Sequence, residues 1–318
     1  MKFFTTEQNR INWVDYYKAF SIFLIVIGHS ILQHAQLIHL LFLFHVPLFF
    51  FISGYLEKTE SCNTQKYLSK ILYALVIPYF LWNILCVVFH LPITIKNVCA
   101  VLVGISLWNA ASWFLGVLII IKLVALMLRN HKFILATFST TILLVLFLLN
   151  KRMPFYANLA FMFIPFYFLG MYGKNIINKI AINFTNKAFI NIFLLGIATA
   201  LLLACYKFAD VPHTHSVTSF TDKFYLYWLT GLLGIISMFF LCICFNKKPC
   251  GVMQAISIST LFIMCSHFEI IYRATGYITN YYGDIYSILF VVLYFLLQCA
   301  CIPIVLKYFP VLAGRKAK

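Results

Sequence analysis

The sequence predicts an all-α protein, a polytopic membrane bundle of about ten transmembrane helices. Hydrophobic residues make up 63% of the 318 positions and charged residues only 10%, whereas soluble domains are roughly half apolar and about a quarter charged. Apolar windows of about 20 residues, the length that crosses the hydrocarbon layer as a helix, recur along the chain. The alternating pattern of a membrane β-barrel is absent from the sequence.

Ten apolar windows, separated by charged or Pro- and Gly-containing breaks, are the predicted spans. In chain order they are 14–34, 37–56, 67–90, 112–128, 133–149, 156–173, 188–206, 225–245, 255–272 and 285–307. A shorter apolar piece at 97–107 is expected to be interfacial or re-entrant. No polar stretch is long enough for a separate soluble domain, so we expect residues 1–318 to form a single membrane domain.

The Lys and Arg residues predict the orientation of the spans. The net charge is +16, but the basic residues are spread between the apolar windows, which argues against a nucleic-acid partner. With the N-terminus in the cytoplasm, sixteen of the 24 basic residues fall on the cytoplasmic side, six fall outside, and Lys18 and Lys122 lie within spans. Cytoplasmic loops carry such an excess of positive charge. We therefore expect a multi-pass protein in the lipid bilayer of the inner (plasma) membrane, with both termini cytoplasmic.

The first predicted span holds three ionisable residues that hydrocarbon tolerates poorly, namely Asp15, Lys18 and His29. Lys18 and His29 are eleven residues apart, which places them on one stripe of a helix, separated by roughly 16 Å along its axis. Asp15 comes three residues before Lys18, close enough to pair with it. One alternative is that Asp15 and Lys18 lie at the membrane interface and that His29 bonds a neighbouring helix. The shared stripe favours a functional site, because ionisable groups inside a membrane are expensive and usually functional.

A further histidine, His45, lies in the second span, within "FHVPLFFFISGYL" at 44–56. If the first two spans turn near residues 35–36, His29 and His45 differ in depth by less than about 5 Å and can share one cavity. Pro47 removes a backbone donor and is expected to kink the helix. Ser53 and Gly54 are small enough for close contact between helices.

Other polar residues are weaker candidates. His267 and Glu269 lie in the ninth span, where a place in the cavity competes with a structural hydrogen-bonding role. Lys122 is expected to extend its charge towards the cytoplasm. His213 and His215 have no further ligands nearby in sequence, and the ten Cys residues form no metal-binding spacing, so we expect no metal site.

Five blocks of the sequence resemble the acyltransferase-3 family of integral membrane acyltransferases. Lys18, ten residues and then His29, within a stretch that includes "IVIGHS", match the family's first-helix pattern, and "FHVPLFFFISGYL" is similar to its second helix, particularly in the branch similar to fucose 4-O-acetylases. Three later blocks follow in the expected order, "KILYALVIPYFLW" (70–82), "SWFLGVL" (112–118) and "ISISTLFIMCSH" (256–267). Lys18 stands where many members have Arg, which loses the bidentate geometry of a guanidinium.

The resemblance implies transfer of an acyl group, usually acetyl from acetyl-CoA, to a hydroxyl of a sugar or glycan of the cell envelope. Such a reaction needs a base near the acceptor hydroxyl, and histidine is the side chain that titrates nearest neutrality. The expected site residues fall into a catalytic and a donor-binding group: His29, His45 and Asp15 in the first, and Lys18, Arg10 and Lys70 in the second.

Several alternatives stay open on the sequence. His29 acts either as a general base, with His45 orienting it or donating to the oxyanion, or as a nucleophile that forms an acetyl-imidazole. A transporter or flippase for a glycan-related substrate would also use a polar stripe, although no inverted repeat is visible. A purely structural membrane subunit leaves the cost of Asp15, Lys18 and His29 unexplained.

Overall fold

Every regular element in the described part of the chain is helical, which confirms the all-α prediction. The computed structural model describes residues 10–30, 35–58, 63–105, 107–149, 153–209 and 224–316, apart from the side chain of Ala35. The described α-helices are α1 (Asn12–Gly28), α2 (Ala35–Phe42), α3 (His45–Tyr55), α4 (Thr64–Ile71), α5 (Ile77–Cys86), α6 (Ile95–Leu102), α7 (Trp113–Arg129), α8 (Phe133–Leu148), α9 (Ala157–Phe184), α10 (Ala188–Cys205), α11 (Phe224–Ile243), α12 (Gly251–Ile258), α13 (Thr260–Tyr282) and α14 (Asp284–Tyr308).

The helices confirm a multi-pass membrane protein. Within the described residues, seven helical segments are long and apolar enough to cross a membrane, and an eighth is added if the bent pair α12 and α13 is one span. These eight coincide with eight of the ten predicted spans. The other two predicted spans correspond to α1, which has 17 residues, and α8, which has 16. The predicted end of the first span, at 31–34, lies outside the described residues, and the short piece at 97–107 overlaps α6.

The first helix lies inside the bundle and runs antiparallel to α3. It packs against α3, α11, α12, α13 and α14. At one end of α1 the Trp13 ring lies against Tyr55 and Phe239, with centroid distances of 4.9 and 5.2 Å. At its other end His29 faces His45, the first residue of α3, with the ring centroids 6.0 Å apart. His29 and His45 are therefore at the same depth, as the hairpin arithmetic predicted.

Two glycines let α3 pack closely on α9. A Cβ added to Gly54 would lie 1.8 Å from the Tyr167 carbonyl oxygen, and one added to Gly170 would lie 2.1 Å from the Phe51 oxygen. Neither position can accept a side chain without backbone movement, so the predicted close contact at Gly54 is confirmed. Pro47 lies in the first turn of α3, where its missing N–H costs no helical hydrogen bond, and the span Gln36–Tyr55 is interrupted just ahead of it, at residues 43–44.

The ninth predicted span is broken at Ser259. Helices α12 and α13 meet there at an angle of 71°. The break lets the two segments pack on α1 at different levels, with Ser257 near Lys18 and His267 near His29. Gly283 joins α13 to α14 with φ of 90° and ψ of 174°, a conformation that is essentially restricted to glycine.

Candidate active site

His29 stands at the end of α1, outside the regular helix. Its backbone has φ of −91° and ψ of 1°, and its N–H donates to the Ile25 carbonyl at 3.1 Å. The half-buried imidazole packs edge-on against Phe42 and Phe268, with centroids 5.4 and 5.0 Å away. Within the described residues no protein group hydrogen-bonds to the ring nitrogens of His29. Packing alone therefore holds this imidazole, and its nitrogens are available to a ligand.

Two further imidazoles flank His29. The ring of His45 lies 6.0 Å away and that of His267 lies 5.2 Å away, measured between centroids. Both flanking side chains are buried, at 1% and 0% exposure, whereas His29 is half-buried. We call His29, His45 and His267 the histidine cluster. Sequence spacing placed His29 and His45 together, and the structure adds His267 from α13.

A carbonyl fixes the tautomer of each flanking histidine. The Nδ1 atom of His45 lies 2.6 Å from the Leu41 oxygen, and that of His267 lies 3.1 Å from the Ile263 oxygen. A carbonyl oxygen only accepts, so each Nδ1 must carry the hydrogen, and each neutral ring presents Nε2 as a bare acceptor. Both Nε2 atoms are buried without a hydrogen-bond partner. Donation from the Nε2 atom of His45 to an oxyanion would therefore require the protonated ring.

The Lys18 cluster lies nearer the other end of α1. Arg10 donates to both carboxylate oxygens of Asp15, at 2.9 Å from Nε and 2.5 Å from a terminal nitrogen, and also contacts the Ser257 hydroxyl at 3.4 Å. Lys18 donates to the Ser257 carbonyl oxygen. Asp15 thus pairs with Arg10 instead of Lys18, since an Arg fork matches a carboxylate better than an ammonium does. We call Arg10, Asp15, Lys18 and Ser257 the Lys18 cluster.

Lys70, the third expected donor-binding cation, lies elsewhere. It is exposed in the last turn of α4. The predicted site residues therefore lie in three places. His29 and His45 belong to the histidine cluster, Arg10, Asp15 and Lys18 belong to the Lys18 cluster, and Lys70 lies at the end of α4.

A buried ionic network centres on Glu57 and was missed in the sequence. Lys122 and the phenols of Tyr67 and Tyr167 donate to Oε2 of Glu57, the phenols at 3.0 and 2.9 Å. Arg129 donates to Oε1 at 3.2 Å. We call these five residues the Glu57 network. Lys122, which is predicted to extend its charge towards the cytoplasm, directs that charge at the carboxylate it shares with Arg129 from the last turn of α7. The sequence holds one signal for this network: Lys122 lies in an apolar helix and needs an acidic partner, and Glu57 is one of only eight acidic residues in the chain.

The network also sets the protonation of Glu57. Burial alone would raise the pKa of this carboxyl, but the Lys122 charge and the hydrogen bonds from Lys122, Tyr167 and the Lys58 N–H outweigh it. Together they lower the pKa of Glu57 from 4.5 to about 2. Glu57 is therefore ionised at neutral pH, and both of its carboxylate oxygens accept hydrogen bonds from protein groups.

Glu269, the weaker acidic candidate, faces its own pair of partners. Its carboxylate lies 3.2 Å from Nε of Arg273 and 3.6 Å from Nε2 of His90. Arg273 also donates to the Phe89 carbonyl at 3.1 Å. Glu269 therefore has contacts that fit the structural alternative, in which it bonds to neighbouring protein groups, and not a place in the cavity.

No group of three or more His, Cys, Asp or Glu side chains in the described ranges is arranged to hold a metal ion. His213 and His215, which were considered for such a role, lie outside the described residues. The imidazoles of the histidine cluster can transfer protons and form hydrogen bonds.

One family model matches almost the whole chain. Its description is an acyltransferase domain, and it covers residues 11–306, from the start of α1 to the last turns of α14. The chain belongs to the acyltransferase-3 family. This acyltransferase matches no curated protein and no solved structure. Membership confirms the predicted family, but not the branch similar to fucose 4-O-acetylases, and makes the protein a membrane acyltransferase. The matched range includes the histidine cluster and the Lys18 cluster, apart from Arg10.

Proposed function

We propose that this acyltransferase is an O-acetyltransferase that moves an acetyl group from acetyl-CoA to a hydroxyl of a sugar or glycan of the cell envelope. The observation that carries the proposal is His29, whose ring nitrogens have no protein partner among the described residues and lie between two imidazoles of fixed tautomer. An imidazole with an available nitrogen is the group that acyl transfer to a hydroxyl requires.

The donor is proposed to lie along α1. Its phosphates would meet Lys18 and Arg10, with Lys70 as an outlying cation, and this end of the bundle would face the cytoplasm, where acetyl-CoA is made. Lys18 and His29 are separated by roughly 16 Å along the helix. The pantetheine arm of CoA separates its phosphates from its thioester, so one molecule can place charge near Lys18 and the acetyl group near His29. Cations at a ligand's phosphates also speed its encounter.

In the proposed reaction His29 takes the proton of the acceptor hydroxyl while the hydroxyl oxygen attacks the thioester carbonyl. The C–O bond forms, the tetrahedral oxyanion collapses, the C–S bond breaks, and the CoA thiolate takes the proton from His29. The competing route forms an acetyl-imidazole on His29 first and passes the acetyl group to the hydroxyl second. Asp15 supports the site from a distance, by holding Arg10 beside Lys18.

The deciding experiment uses purified protein, labelled acetyl-CoA and extracted envelope glycans. We expect wild type to label a glycan and His29→Ala to lose about 10²- to 10⁴-fold of that rate, the contribution of a positioned general base. His131→Gln, an exposed histidine between α7 and α8, is the matched control and should retain the wild-type rate. Full transfer by a folded His29→Ala protein would refute the assignment. Label on the wild-type protein in the absence of acceptor would favour the acetyl-imidazole.

A further inference from the structure

The flanking members of the histidine cluster have a feature that general-base chemistry at His29 does not use. His45 and His267 each hold a buried Nε2 lone pair that no protein group satisfies. The Nδ1–H of His45 donates to the Leu41 carbonyl and that of His267 donates to the Ile263 carbonyl. In each neutral ring the Nε2 atom therefore carries no hydrogen and can only accept a hydrogen bond. Leaving a buried polar atom unpaired is unfavourable, and native proteins contain only a few such atoms.

The missing partner must be a hydrogen-bond donor that fits an otherwise apolar setting. The rings packed on His29 besides the two histidines are Phe42 and Phe268. An anion would be repelled by two lone pairs, and a cation would find no carboxylate against these rings. A neutral hydroxyl donates, is small and is carried on sugars, whose C–H faces pack well on aromatic rings.

We propose that the acceptor of this enzyme is a vicinal diol, and that His267, with His45, accepts hydrogen bonds from hydroxyls adjacent to the one that is acetylated. The inference rests on the proposed function. The centroids of His267 and His45 lie 5.2 and 6.0 Å from His29, so one sugar ring can offer one hydroxyl to His29 and its neighbour to a flanking Nε2 atom. His267 is then a residue that determines acceptor specificity, not the base.

This arrangement gives the site a way to reject isolated hydroxyls. A site that is built to bond a substrate hydroxyl discriminates strongly against an analogue without it, because the buried acceptor is then left unpaired. We expect a monodeoxy acceptor to lose about 10- to 100-fold in kcat/KM, the size expected for one buried unpaired group.

The test compares methyl pyranosides with their monodeoxy derivatives as acceptors for purified protein and labelled acetyl-CoA. We expect wild type to prefer the diols. His267→Phe, which keeps a ring but no acceptor, should raise KM for the diols and remove the preference over the deoxy sugars. His267→Gln, whose Oε1 atom can replace Nε2, should restore part of the preference. His131→Gln is the control and should keep the full preference for diols over deoxy sugars.

The outcomes separate the two proposals. Equal kcat/KM for diol and deoxy acceptors in wild type, or an unchanged preference in folded His267→Phe, would overturn the diol inference while acetyl transfer still stands. Absence of label on every acceptor and on extracted glycan would overturn the proposed function and the inference with it. Should His267→Phe fail to fold in a thermal unfolding assay, the wild-type comparison of diol with deoxy sugar still decides.

Discussion

The Glu57 network and the histidine cluster lie at opposite ends of the antiparallel pair α1 and α3, and they treat buried polar atoms in opposite ways. At Glu57 two cations and two phenols meet both carboxylate oxygens. At the histidine cluster two Nε2 atoms are buried and unpartnered. The carboxylate of Glu57 forms its hydrogen bonds with other protein groups, whereas the two Nε2 atoms can still accept hydrogen bonds from a bound ligand. We therefore assign the Glu57 network to the scaffold and, on our proposal, the two unpartnered nitrogens of the histidine cluster to the site.

The half-buried lysines Lys18 and Lys122 show the same contrast. Lys122 donates to a carboxylate, so its charge is matched within the protein. Lys18 donates to a backbone carbonyl of Ser257, while the nearby Asp15 directs both oxygens to Arg10. A neutral carbonyl leaves most of the Lys18 charge available to an anion. The acyltransferase therefore holds one lysine for structure and one, on our proposal, for its donor.

The largest effect is expected from Glu57→Gln. Removing one partner of a buried ion pair leaves uncompensated charge, here on Lys122 and Arg129, and costs about 3–5 kcal/mol. Unfolding of detergent-solubilised protein should report this loss, while acetyl transfer per folded molecule stays near wild type. Glu269→Gln is the matched control and should cost much less, since its partner Arg273 is half exposed. Loss of transfer in folded Glu57→Gln protein would break the division between scaffold and site.

A smaller effect is expected from Lys18→Gln. Losing a charge-assisted contact with a donor phosphate should raise KM for acetyl-CoA about 10- to 100-fold. Lys132→Gln, an exposed residue ahead of α8, has the same change of charge and should leave this KM nearly unaltered. Initial rates at varied acetyl-CoA measure both. Equal shifts in the two variants would mean that only the overall positive charge of the protein matters, and Lys18 would lose its donor role.

The smallest effect concerns acid. The fold lowers the pKa of Glu57 from 4.5 to about 2. The ionised carboxylate therefore contributes its full stabilisation of the folded protein above pH 4.5, and this stabilisation declines as the pH falls towards 2. Between roughly pH 5 and pH 3 the unfolding temperature of wild type should therefore fall more steeply than that of Glu57→Gln, which has no carboxyl to protonate. Parallel curves for the two proteins would show that this carboxylate is not a source of acid sensitivity.

Several parts of the site could be read from the sequence because they depend on one helix or one hairpin. Helical periodicity placed Lys18 and His29 on a stripe, and the length of two spans placed His45 at the depth of His29. The pairing of Asp15 could not be read this way. Its real partner, Arg10, precedes α1 and reaches back to it, whereas the helical rule compares only residues on the helix.

Long-range contacts supplied what periodicity could not. Glu57 meets Lys122 and Arg129 from α7 across 65 and 72 residues of chain. His267 reaches His29 because α12 and α13 bend by 71° at Ser259, and no local pattern in the sequence announces that bend. The proton positions of His45 and His267 also depend on which carbonyl lies beside each ring.

The amino-acid sequence alone determined that this is a helical membrane protein, how its spans are placed, and that the first helix bears an aligned cation and imidazole. These properties follow from composition and from the repeat of a single helix, so they need no knowledge of neighbours. Only the tertiary structure decided which charges are satisfied, that a third histidine completes the cluster, and which nitrogens remain as acceptors. Those properties depend on contacts between distant segments, which packing alone brings together.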